Sequence, residues 1–90
     1  MKQQTVFVVE IHDGEPPSYL FGVFPTFTSA IVELTKSENA NRLRQNRIAQ
    51  IHEYRVPSTE PIARIDYEIQ DGRLESPITI IFAGIDDSVA

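Results

Sequence analysis

Ile62-Ala63-Arg64-Ile65-Asp66-Tyr67-Glu68-Ile69-Gln70-Asp71-Gly72-Arg73-Leu74 is the most orderly stretch of this 90-residue chain. Ala63, Ile65, Tyr67 and Ile69 alternate with Arg64, Asp66, Glu68 and Gln70. Successive strand side chains point to opposite faces, so this period of two describes a half-buried strand over residues 62–70 with one wet face. Asp71-Gly72 then supplies a two-residue hairpin turn, because a type I′ turn needs positive φ at both central positions. The turn sets Gln70 opposite Arg73 and Ile69 opposite Leu74. Pro77 has no N–H to give a ladder, so a bulge or a sheet edge is expected there. Residues 78–83 read as an apolar last strand, and residues 84–90 as a flexible acidic tail.

Upstream, Thr26 precedes Phe27, Ala30, Ile31 and Leu34, spaced i, i+3, i+4, i+7. That is one apolar stripe at helical period. The Thr26 hydroxyl suits an N-cap. Asn39 and Asn41 weaken the pattern, so the helix is expected to end between Glu38 and Asn41. Its single stripe serves one partner, a sheet face. Residues 5–12 and 19–24 read as a hairpin around the turn-rich Asp13-Gly14-Glu15-Pro16-Pro17-Ser18. In the first of these strands Phe7, Val9 and Ile11 point one way and Val6, Val8, Glu10 and His12 the other. Apolar residues on both sides suggest a central strand. Gly22 marks a bulge or a close backbone approach. Residues 47–56 form a further strand with mixed alternation, closed by Pro57-Ser58-Thr59-Glu60-Pro61. The string ββαβββ gives an α+β class: a mainly antiparallel sheet with one helix packed on one face.

Composition agrees. Ile and Val together number 18, against 5 for Leu and Met, and β-branched side chains suit a pleated surface. The length fits one domain, with residues 5–56 as a ββαβ core and 57–83 as a β-hairpin extension. The absence of cysteine excludes disulfides and thiolate metal sites. A net charge of −5 argues against direct nucleic-acid binding, and two lysines make no membrane-binding patch. The apolar run Val6–Val9 is too short for a signal-peptide core or a membrane span. A cytoplasmic location is expected. Charge is unevenly spread: Lys36, Arg42, Arg44, Arg47 and Arg55 against Glu38 and Glu53 leave residues 36–55 at +3 and the remainder at −8.

Phe7-Val8-Val9-Glu10, then Gly22-Val23-Phe24 ahead of a capped helix with Ala30, and a closing strand Ile51-His52-Glu53-Tyr54-Arg55-Val56, together resemble a small, functionally uncharacterised family of bacteria and their phages. The resemblance covers residues 6–56 and rests mostly on packing positions. It implies a bacterial or phage setting and carries no catalytic residue. The Asp71-Gly72 hairpin lies outside it.

Three groups of residues are candidates for function. Arg42, Arg44 and Arg47, among Asn39, Asn41, Gln45 and Asn46, form the one basic cluster, in a polar segment expected to be a contact loop. Guanidinium forks suit phosphate or carboxylate, and cations also suit a helix C-terminus. Asp66 and Glu68 share a strand face about 7 Å apart, suited to acid–base work, to Mg²⁺ or simply to water. His12 and His52, with Glu10 near, would make a metal site if the first and third strands bring them together. No phosphate-binding loop or nucleophile elbow is present, and no cofactor or metal is expected.

Ile78, Ile80 and Phe82 place more apolar surface on the last strand than an edge should expose. The leading expectation is therefore a non-enzymatic protein-interaction module: a homodimer joined through its last strands, bound to a protein partner. One alternative is an acidic inhibitor of a host or defence nucleoprotein, with Asp66, Glu68, Asp71, Glu75, Asp86 and Asp87 mimicking nucleic-acid charge. Others are a small metal-dependent hydrolase built on the two histidines, and a nucleotide or RNA regulator using the arginines.

Overall fold

The computed structural model describes residues 4–57 and 59–82; Ser58 and the acidic tail, with Asp86 and Asp87, lie outside the described residues. The alternating segments form β1 (Gln4–His12), β2 (Tyr19–Phe24), β3 (Ile48–Val56), β4 (Ala63–Gln70) and β5 (Arg73–Phe82). They make one antiparallel sheet in the order β2-β1-β3-β4-β5. Helix α1 (Phe27–Leu34), a 3₁₀ turn (Ser37–Asn39) and helix α2 (Ala40–Arg44) follow β2. The class is α+β, with two short helices. No helix among the described residues is long and apolar enough to cross a membrane.

Partners directly across a ladder point to the same face, so the register sorts the sheet into two surfaces. Phe7, Val9 and Ile11 share one face with Ala49, Ile51, Ile65, Tyr67 and Ile69. Ala30 and Leu34 of α1 bury against this face, with Phe27 and Ile31 packed beside them. Thr26 caps α1 as expected: the Ser29 N–H donates to its Oγ1 at 3.0 Å, and the Thr26 N–H donates to Ser29 Oγ at 3.3 Å. Gly22 sits beside a bulge in β2, where Val9 pairs with Gly22 and Glu10 with Leu20. A methyl at Gly22 would meet the Phe24 ring at 2.8 Å, so the close approach there is that ring's.

The helical segment departs from expectation. α1 stops at Leu34, four residues before the earliest expected end, because its last carbonyls are taken by side chains. Thr35 Oγ1 donates to the Ile31 carbonyl at 2.8 Å, and Asn39 Nδ2 donates to the Glu33 carbonyl at 2.8 Å. The chain turns and starts again as α2. Leu43, the one large apolar residue of α2, is 0% exposed and belongs to the main core. Residues read as a polar contact loop are thus a second helix anchored by one leucine.

β5 also begins earlier than residue 78. Asp71 (φ 53°) and Gly72 (φ 76°) both adopt the left-handed region. This compact turn feeds the chain straight into the ladder, with Gln70 opposite Arg73 and Ile69 opposite Leu74. Asp66 pairs with Thr79, Tyr67 with Pro77 and Ile69 with Leu74. β5 therefore carries an extra residue on each side of Pro77, the expected bulge, on the expected edge. Residues 57–82 add two strands to the same sheet.

Candidate functional site

Both helices lie on one face, and the other face of the sheet is uncovered. Its residues fall into rows across the strands. Val23, Val8, His52, Arg64 and Ile81 form one row; Leu20, Glu10, Gln50, Asp66 and Thr79 form the next. Val6 and Tyr54 lie beyond the first row, and His12, Ile48 and Glu68 beyond the second. Among the described residues eight large apolar side chains are exposed, and five of them, Leu20, Val23, Val56, Ile78 and Ile81, belong to this face. A wet face of an antiparallel sheet is ordinarily polar. This one carries an apolar margin around a polar centre.

The centre is tightly set. Arg64 Nε lies 3.0 Å from Asp66 Oδ1, and Nη2 donates to Oδ2 at 3.3 Å. His52 Nε2 approaches Glu10 Oε1 at 3.5 Å. The His52 side chain is only 14% exposed and that of Asp66 13%. Arg64 Nε, Asp66 Oδ1 and both ring nitrogens of His52 are nevertheless buried without a hydrogen bond of good geometry. Burial pushes the His52 pKa below its ordinary value. Glu10 opposes that shift, Arg64 adds to it and Asp66 opposes it.

At one end of this face an open cleft of about 500 Å³ brings five of the sequence candidates together: His12, Arg47, Asp66, Glu68 and Ile78. Ile48 and Gln50 line it with them. The Gly14 N–H donates to His12 Nδ1 at 3.0 Å, which leaves Nε2 to carry the proton of the neutral ring. Asp66 is engaged by Arg64, whereas Glu68 is exposed. The acids proposed to imitate nucleic acid do not form one stripe: Asp71 sits in the turn, Glu75 on β5, and Asp66 is paired.

The arginines, expected in one loop, diverge: Arg42 and Arg44 lie on α2, and Arg47 lies between α2 and β3. The Arg42 guanidinium lies over the Phe21 ring, 4.5 Å from its centroid. Arg44 Nη1 donates to Asn41 Oδ1 at 3.0 Å. Arg47 alone reaches the cleft on the uncovered face.

The first and third strands do pair, yet the histidines do not meet. His52 stands opposite Val8 and His12 opposite Ile48. They are four residues apart along the ladder, about 13 Å. Among the described residues no group of three or more His, Asp or Glu side chains is placed to hold a metal ion.

On β5, Ile78, Ile80 and Ile81 are 56%, 52% and 43% exposed. Ile81, opposite Arg64, lies on the uncovered face, and Ile78 borders the cleft there. Ile80, opposite Ile65, points to the helical face. Phe82 pairs with Ala63 through its backbone, and its side chain lies outside the described residues. Sequence reasoning missed Leu20, Val23, Gln50, Tyr54, Val56 and Arg64. Val6 and Val8 in β1 and the mixed alternation of β3 were the available signal. Comparison with protein-family models, with curated proteins and with solved structures finds no match for this chain.

Proposed function

We propose that this chain is a non-enzymatic protein-interaction module that works as a homodimer. The resemblance over residues 6–56 points to a bacterial or phage setting. One observation carries the reading: a sheet layered on one side only, whose other side collects five of the eight exposed large apolar side chains among the described residues. Contiguous exposed apolar surface rimmed by polar groups marks interaction sites. The last strand remains part of the contact, since β5 contributes Ile78 and Ile81 to that face. Residues 77–82, Pro-Ile-Thr-Ile-Ile-Phe, carry no charge, so two copies at −5 each bring no like charges together there. Lysines and other charges that keep natural edge strands apart are absent from this stretch.

The test is the mass in solution, measured by sedimentation equilibrium from ~1 to ~500 µM, which spans weak to moderate dimers. The expected result is a concentration-dependent rise to twice the 10.2 kDa chain mass. A chain that stays at 10.2 kDa throughout would refute the homodimer.

A further inference from the structure

Resting on the homodimer reading, we propose that a second copy of this chain covers the uncovered sheet face. The two copies stack face to face about a two-fold axis lying across the strands, between the His52–Arg64 row and the Gln50–Asp66 row. Rotation about that axis keeps each strand over its own counterpart and exchanges the two rows. Arg64 then faces Asp66 of the second copy, His52 faces its Gln50, and Val23 faces its Leu20. One row further out, Tyr54 lies over the second copy's Ile48. Val23 over Leu20 and Tyr54 over Ile48 are apolar contacts, Val8 lies over the second copy's Glu10 and Ile81 over its Thr79, and unlike charges meet at the centre.

The unsatisfied atoms favour this occupant over an unrelated partner. Arg64 Nε is a buried donor and Asp66 Oδ1 a buried acceptor; they ion-pair with each other at 3.0 Å, but neither makes a well-formed hydrogen bond. They sit in adjacent rows on one strand, so a two-fold operation places donor over acceptor twice. The result is an alternating square of two guanidinium and two carboxylate groups, neutral as a whole. Both ring nitrogens of His52 are unsatisfied as well, and the Gln50 amide of the second copy has a donor and an acceptor to offer. A face that complements itself in this way fits an isologous dimer.

Size agrees. Five strands about 4.8 Å apart and about nine residues long present a face of roughly 700 Å² per copy. A standard stable interface buries about 800 Å² per partner.

Five variants separate this arrangement from edge-to-edge pairing of β5, with sedimentation as the readout and circular dichroism confirming the fold. Arg64→Asp and Asp66→Arg are each expected to weaken the dimer at least about tenfold, and the double exchange to restore it to within about threefold. The paired change Leu20→Lys with Val23→Lys, at two exposed β2 positions, is expected to leave a folded monomer. Ile80→Lys, on the opposite face, is expected to leave the dimer intact. If Ile80→Lys dissociates the dimer while the β2 double variant stays dimeric, stacking is wrong, the second copy sits on the β5 edge, and the homodimer reading survives. If the unmodified chain is monomeric throughout, both readings fall.

Discussion

Replacing Leu43 by alanine tests whether residues 40–44 belong to the core or hang from it. The leucine is fully buried with Val9, Ile11, Leu34 and Ile69, and the five-residue α2 has no other buried side chain. Leu-to-Ala substitutions in cores cost about 2–5 kcal/mol, less where the surroundings can collapse into the space. A helix this short is able to shift inward, so about 3 kcal/mol is expected. A 90-residue domain has a total stability of about 5–13 kcal/mol. The loss would lower the thermal midpoint by about 12–24 °C. Urea unfolding at fixed protein concentration is the assay, because dimer formation couples to apparent stability. Val32→Ala, at an exposed position on α1, is the control and should change stability by less than about 0.5 kcal/mol. A Leu43→Ala loss below about 1 kcal/mol would refute the reasoning, since α2 would then be only loosely attached.

Three further predictions follow from single contacts. Thr26→Ala removes the acceptor for the Ser29 N–H at the start of α1 and should cost about 1 kcal/mol in urea unfolding; no change would mean the cap is redundant. Gly72→Ala meets two obstacles, a left-handed backbone at φ 76° and the Ala40 carbonyl oxygen 2.7 Å from the added methyl. The backbone alone costs about 1–2 kcal/mol, so a total near the lower value would show that α2 yields without loss. His52 is held below its ordinary pKa in the fold by burial, with Glu10, Arg64 and Asp66 around it. As pH falls through the unfolded value of about 6.5, the unfolded chain takes up the proton first. His52 therefore makes stability fall on acidification, by at most about 1.4 kcal/mol per pH unit. His52→Gln should flatten the stability profile between the unfolded and folded pKa values; an unchanged slope would place the titration elsewhere.

What could be read from the sequence was local. Thr26 with the stripe Phe27, Ala30, Ile31 and Leu34 specified α1 and its start, and Asp71-Gly72 specified the turn and the pairs beside it. Pro77 marked the bulged edge, because a missing N–H is a property of one residue. The end of α1 was harder, since it depends on Asn39 reaching back six residues to the Glu33 carbonyl. Leu43 gave no periodic signal, being the one large apolar residue in a five-residue helix. Arg42 was grouped with Arg44 and Arg47 by position, whereas its place over Phe21 follows from how α2 sits on the sheet.

The candidate surface was legible only in fragments for the same reason. Ile78 and the Asp66–Glu68 pair were visible, but their company was not. Whether Val8 faces His52 or one of its neighbours depends on the β1–β3 register, which no short stretch encodes. The same register separates the histidines: a shared face was foreseeable, but the four-residue offset was not.

In the proposed dimer the bare sheet face is covered by a second copy. The most direct measurement is the distance between two spin labels, one on each chain, at Val23→Cys. The natural sequence has no cysteine, so this is the one site labelled. Stacking about the proposed axis puts the two β2 strands over each other, about 10 Å apart between sheets, and predicts a label distance below about 25 Å. Edge-to-edge pairing through β5 would set the β2 strands at opposite ends of a ten-stranded sheet, about 43 Å apart. A distance above about 40 Å in a labelled chain that sedimentation shows to be dimeric would contradict the stacked arrangement.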